Sequence, residues 1–188
     1  MIDDLEALKV ISEHRGEAIV VPTMTANFIW PQVSTNPRLD LMFTGTMGKA
    51  SSLGLGLALA RPDKQILVLD GEGSLLMNLG TLVTIAEASP RNLVHIVLDN
   101  DIYRTSGSQP VPNVGKTSYT GFAEAAGYAN VYSFDDLDDL KNDIGGVLKQ
   151  TGPTFIVLKT VPARQRPPYP MTFTAGIIER FKTALQNS

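Results

Sequence analysis

Glu72 and Asn100 are the residues whose types and spacing first suggest chemistry. Glu72 lies in Asp70-Gly71-Glu72-Gly73-Ser74 and Asn100 in Asp99-Asn100-Asp101. A carboxylate and a carboxamide oxygen are hard ligands that suit Mg²⁺ or Ca²⁺. The backbone N–H groups of Gly73 and Ser74, at the start of a helix, suit a phosphate. A divalent ion beside a diphosphate is the simplest occupant of such a place. Asp70 is a less suitable ligand, because the flanking glycines and the spacing to Asn100 favour Glu72. Asp99 braces the turn, and Asp101 is a weaker alternative. The turn lacks the third glycine of G-x-G-x-x-G, and no glycine followed by Lys-Ser or Lys-Thr leaves a strand as in a Walker loop.

The elements that must position these groups can be read around them. Gln65–Leu69 is a short apolar run that suits a strand buried on both faces of a parallel sheet. A helix is expected over Leu75–Ala88, ending before Pro90. A second buried strand follows over Leu93–Leu98. In a parallel βαβ unit both strands finish at the same rim of the sheet, which brings Glu72 and Asn100 together where such folds bind ligands.

The rest of the chain repeats this alternation. A helix is expected over Ile2–Glu13, then a strand in Ala18-Ile19-Val20-Val21 and turn chemistry or ligand contacts over Thr23–Phe28, with Thr25 a candidate substrate contact. Trp30-Pro31-Gln32 reads as a loop, its tryptophan used for packing or an interface. Leu41–Phe43 is a brief extended piece before Gly45-Thr46-Met47-Gly48, and Leu53–Ala60 is a helix whose Gly54, Gly56 and Ala58 admit close approach of another backbone. His95 reads as a core histidine. Tyr103–Gly115 is a loop at the rim, a natural lid or substrate wall. There Arg104 has the forked donors for an anionic substrate, and Gln109 is a further polar contact. Tyr119–Ala126 is a helix, Val131–Phe134 a strand, Asp135–Lys149 a helix with acids in its first turn, and Thr154–Lys159 the last core strand. Residues 162–171 form a proline-rich linker to a terminal helix over Thr172–Leu185. The expected fold is α/β: an open, mostly parallel sheet with helices on both faces.

Composition narrows the function classes. With 188 residues and 43% hydrophobic content the expectation is one domain spanning 1–188. The net charge of −3 gives no electrostatic footprint for nucleic acid. The absence of cysteine excludes disulfides, thiolate zinc sites and iron–sulfur clusters held by this chain. No apolar run reaches the length of a membrane helix. MIDDLEALKVI is acidic and amphipathic, unlike a signal peptide, so a cytoplasmic location is expected.

GEGSLLMNLGTLVTIAEASPRNLVHIVLDND resembles the motif of thiamine-diphosphate-dependent enzymes, which begins Gly-Asp-Gly and ends in a paired Asn or Asp-Asn. The resemblance spans about residues 40–160 and is dense from Gly45 to Gln109. Within that family it is strongest to the sulfopyruvate and phosphonopyruvate decarboxylases, in the diphosphate-binding β subunit or C-terminal domain. It implies the thiamine-diphosphate-binding fold, with thiamine diphosphate and Mg²⁺ as cofactors. The implied metal ligands are Glu72, Asn100 and the carbonyl of Ile102. The implied cofactor contacts are Gly45, Thr46 and Met47 at the aminopyrimidine, with Met47 as the bulky prop. Gly71, Gly73, Ser74, Asn100, Ile102 and Tyr103 complete them at the diphosphate and metal. The usual metal Asp is Glu72 here, and its extra methylene moves the carboxylate by roughly an ångström, which matters to an ion as strict as Mg²⁺.

The implied activity is non-oxidative decarboxylation of a small anionic 2-oxo acid, in which the cofactor accepts electrons as CO₂ leaves. The glutamate that activates the cofactor belongs to a pyrimidine-binding domain in the family. Here it is expected on a separate α subunit, in an α₂β₂ or larger assembly, so no catalytic residue is assigned to this chain. The alternatives are an acetolactate-synthase-like carboligase subunit and a non-catalytic cofactor-binding or scaffolding subunit.

Overall fold

The computed structural model describes residues 1–42, 47–161 and 174–186. Its strands are β1 (Ile2–Asp3), β2 (Ile19–Pro22), β3 (Ile66–Gly71), β4 (Leu93–Asp99), β5 (Ile102–Tyr103), β6 (Gln109–Pro110), β7 (Asn130–Phe134) and β8 (Thr154–Val161). Its α-helices are α1 (Asp4–His14), α2 (Thr25–Val33), α3 (Ala50–Ala60), α4 (Glu72–Leu76), α5 (Gly80–Ala88), α6 (Tyr119–Ala126), α7 (Leu137–Val147) and α8 (Thr174–Gln186). Strands β2, β3, β4 and β8 lie side by side, all parallel, and β7 and β1 share the outer edge of β8. Strands β5 and β6 form a separate antiparallel hairpin beyond the end of β4.

The apolar runs become buried strands because both faces of the sheet are covered. Leu67, Leu69, Val94, Ile96 and Leu98 pack towards α1, α2 and α7. Their alternates Ile66, Val68, Leu93 and Val97 pack towards α3, α5, α6 and α8. Period-two alternation thus feeds two cores, as in a parallel sheet wound on both sides. Helix α3 lies so close to β3 that a Cβ on Gly54 would stand 2.2 Å from Val68 Cγ2.

Several expected elements differ. The first helix begins at Asp4, because Ile2 and Asp3 pair with Thr160 and Val161 and Asp3 then caps the helix through its side chain. Thr25–Phe28 and the expected Trp30 loop merge into α2, after Thr23 and Met24 as lead-in, and the helix tolerates Pro31 in its last turns. Trp30 is fully buried, with the Arg15 guanidinium 5.4 Å from its ring. The helix expected over Leu75–Ala88 is interrupted at residues 77–79, giving α4 and α5. The expected loop after Ile102 contains the β5–β6 hairpin and a 3₁₀ turn over Arg104–Ser106. The proline-rich linker 162–171 and residues Gly45 and Thr46 lie outside the described residues.

Candidate functional site

The site is built where β3 and β4 end, side by side and in register up to Gly71 and Leu98. Gly71 is extended and caps α4, so Glu72 begins the helix at the carboxyl rim of the sheet. One strand over, Asp99 closes β4, and Asn100 and Asp101 reverse the chain. Asp101 takes a left-handed conformation (φ 64°), which Asp tolerates better than most residues. This turn places the Ile102 N–H 3.2 Å from Asn100 Oδ1 and 3.1 Å from Glu72 Oε1. The two oxygens picked out by spacing therefore converge on a single proton.

The backbone at Ile102 faces the same place. Asp101 O accepts from Val111 N–H and Tyr103 O from Ser108 N–H, each at 3.0 Å, so both carbonyls turn into the hairpin. By strand alternation Ile102, between them, turns its N–H and carbonyl away from the hairpin partner, and the N–H meets Glu72 and Asn100. An acid oxygen and an amide oxygen thus share one focus, two hard donors of the kind a divalent cation takes. Among the described residues no three His, Cys, Asp or Glu side chains converge as a metal cluster, so a cation here would need the amide and main-chain oxygens as well.

The electrostatics call for positive charge. Glu72 is 2% exposed, and burial pushes its carboxyl up from 4.5 to about 8. Backbone donors at Glu72, Asn100 and Ile102 oppose that rise, while the Asp99 charge adds to it. Asp99 itself is buried and forms an ion pair with Lys159, its register partner on β8. Tyr119, at the start of α6, is buried beside these acids. Burial first, then Asp99, Glu72 and Asp101, raise its hydroxyl well above the usual tyrosine value.

The α4 side of the site is shaped by contacts. A Cβ on Gly73 would stand 2.4 Å from Tyr103 Cε1, so any larger residue there would displace that ring. The Ser74 hydroxyl accepts from Gly48 N–H (2.9 Å), and Asn78 Nδ2 donates to Gly48 O (2.8 Å). Gripping Gly48 at both backbone groups brings the segment carrying half-buried Met47 against α4 and explains the interruption before α5. Thr25 is buried at the start of α2, beyond the rim of β2. Arg104 Nη1 lies 2.5 Å from Asp4 Oδ2 at the head of α1, so its guanidinium is engaged within the chain. Gln109 is exposed on β6.

Sequence reasoning passed over Lys159 and Tyr119. With Asp99, Lys116, Ser118 and Ser133 they line a cavity of 290 Å³ at the same rim. Their relation depends on the β4–β8 register, which no local motif encodes. A larger cavity of 480 Å³, lined by Arg38, Lys64, Glu179 and Arg180 among others, lies at the opposite ends of β2 and β3, away from Glu72.

Residues 21–158 match the family model of the thiamine pyrophosphate enzymes, C-terminal TPP binding domain. The chain belongs to this family. It is 36% identical to sulfopyruvate decarboxylase subunit beta of Methanothermobacter thermautotrophicus, over 96% of this chain and 94% of that one. It is 42% identical over 118 residues to phosphonopyruvate decarboxylase of Streptomyces hygroscopicus, covering 63% of this chain and 29% of the relative. The chain thus spans under a third of the phosphonopyruvate decarboxylases it matches. Among solved structures it superposes on the thiamine diphosphate-dependent 4-hydroxybenzoylformate decarboxylase of Rhodococcus jostii RHA1 with a TM-score of 0.67. That match covers 87% of this chain and 33% of the other at 19% identity, and it establishes a shared fold.

Proposed function

We propose that this chain is the diphosphate-binding subunit of a thiamine-diphosphate-dependent, non-oxidative 2-oxo acid decarboxylase acting on a small anionic substrate such as sulfopyruvate or phosphonopyruvate. The observation that carries the reading is the convergence of Glu72 Oε1 and Asn100 Oδ1 on the Ile102 N–H at the carboxyl rim. It is supported by near end-to-end similarity to a protein named as a β subunit. Glu72, Asn100 and the Ile102 carbonyl would hold Mg²⁺. The backbone at Gly71, Gly73 and Ser74, with Tyr103, would hold the diphosphate. Gly45, Thr46 and Met47 would meet the pyrimidine. The bound cofactor supplies the electron sink for loss of CO₂.

The chain's own contribution is binding and aim. Burial at Glu72 excludes water from the ion, and its carboxyl must give up a proton as the ion enters. The activating glutamate comes from a separate α subunit, with the active sites shared in an α₂β₂ or larger assembly in the cytoplasm. Arg104 is held by Asp4, so recognition of the substrate's second anionic group falls to other residues at the rim or on the partner.

The test is to co-purify the chain with a candidate pyrimidine-domain subunit from the same organism and assay both oxo acids with thiamine diphosphate and Mg²⁺. The complex is expected to release CO₂ and an aldehyde, while the chain alone turns over negligibly. Robust activity from a verified homomer would remove the shared site. Condensation of pyruvate with an acceptor would make it a carboligase, and cofactor binding without turnover of any oxo acid a scaffolding subunit.

A further inference from the structure

His95 is a polar residue in the middle of an otherwise apolar strand, and it is completely buried. In register it lies opposite Val68 on β3 and Phe155 on β8, and its ring meets Phe155 edge-on at 5.2 Å. An imidazole there costs free energy unless it is hydrogen-bonded, and an apolar side chain would fill the same wall. Both ring nitrogens face partners. Nε2 lies 3.2 Å from Asp70 Oδ2 and Nδ1 lies 3.5 Å from the Tyr128 hydroxyl. Asp70 Oδ2 can accept from a proton on Nε2, and Nδ1 faces the Tyr128 hydroxyl. The second oxygen of Asp70, Oδ1, accepts from the Gly71 N–H at 2.9 Å. Asp70 is 1% exposed and Tyr128 7%, so the whole series is shielded from water.

The chain of contacts leads from the end of α6 across the sheet to the residue before the Gly71–Glu72 turn. We propose that Tyr128 and His95 are positioning residues for the cation site: they fix the Asp70 carboxylate, which holds the Gly71 amide and so sets where Glu72 leaves β3. This rests on the reading of Glu72 and Asn100 as cation ligands. Such outer contacts typically tune metal affinity by about 10–100-fold.

The test uses the chain co-purified with its partner subunit, as wild type, His95→Gln, His95→Leu and Tyr128→Phe. Each is titrated with Mg²⁺ at saturating thiamine diphosphate by calorimetry, and the metal-free proteins are melted in parallel. Gln sets an amide nitrogen near the place of Nε2 and keeps the donor to Asp70, whereas Leu keeps bulk and removes it. His95→Leu is expected to raise the Mg²⁺ Kd about tenfold while melting no lower than His95→Gln. His95→Gln should stay within about threefold of wild type. Tyr128→Phe keeps its ring against Phe155 (5.5 Å) and should raise the Kd by about threefold. It decides the matter if His95→Leu does not fold. Unchanged affinity in the folded variants, or Gln as weak as Leu, overturns the relay alone. A wild-type complex that binds no cation with the cofactor removes the site assignment, and the relay with it.

Discussion

Two buried ionisable groups in this protein are treated in opposite ways. At the turn between α1 and β2, Arg15 is fully buried, with Nη1 2.5 Å from Asp40 Oδ1 and 3.0 Å from Ser34 Oγ, and Nη2 2.6 Å from Ala18 O. Ser34 also donates to the second Asp40 oxygen at 2.5 Å. At the far end of the sheet Glu72 is nearly as buried, yet main-chain amides are its partners and Asp99 is a nearby like charge. A buried charge that faces its opposite is a structural unit, which is costly to break by halves. A carboxyl that burial raises to about 8 fits the cation site proposed above.

The sharpest way to break this contrast is to remove one member from each place. Glu72→Ala or Asn100→Ala is expected to abolish metal-dependent cofactor binding, a loss of more than about 100-fold by calorimetry, while the fold persists by circular dichroism. Arg15→Met strands Asp40 and should cost about 3–5 kcal/mol in urea unfolding, with cofactor affinity per folded molecule unchanged. If the two effects trade places, the contrast fails.

A smaller effect follows from the carboxyl itself. Between pH 4.5 and 8 the native state holds a proton on Glu72 that the unfolded chain has lost, so metal-free stability falls as pH rises through that window. Glu72→Gln removes this dependence. Its metal-free melting temperature should match wild type near pH 4 and exceed it at pH 9; equal melts at both would argue against a raised carboxyl. The most modest effect concerns wild type alone. Because the ion displaces that proton, Mg²⁺ affinity should weaken by up to about tenfold per pH unit below 8. A flat profile from pH 6 to 8 would show that Glu72 is already ionised.

What could be read from the residues follows from how local each signal is. The apolar runs Leu67-Val68-Leu69 and Leu93–Leu98 fell into buried parallel strands because both faces are covered, and that pattern needs no distant information. Glu72 and Asn100 met because consecutive parallel strands end at one rim. The interruption of the helix at residues 77–79 was hidden, since Ser74 and Asn78 are drawn to Gly48, which lies 26 and 30 positions away. The pairing of Arg104 with Asp4 spans 100 positions, so composition around Arg104 suggested an anion binder. The Asp99–Lys159 ion pair depends on strand order, which hydropathy leaves open.

Strand β1 makes the beginning of the described chain a working part of the rim. Ile2 and Asp3 add the last rungs beside β8, and the next residue, Asp4, grips Arg104 in the segment that follows Tyr103. A deletion of residues 1–4 would therefore unfasten the stretch that lays the Tyr103 ring over Gly73. Cofactor measurements are therefore best made on protein that keeps residues 1–4 intact.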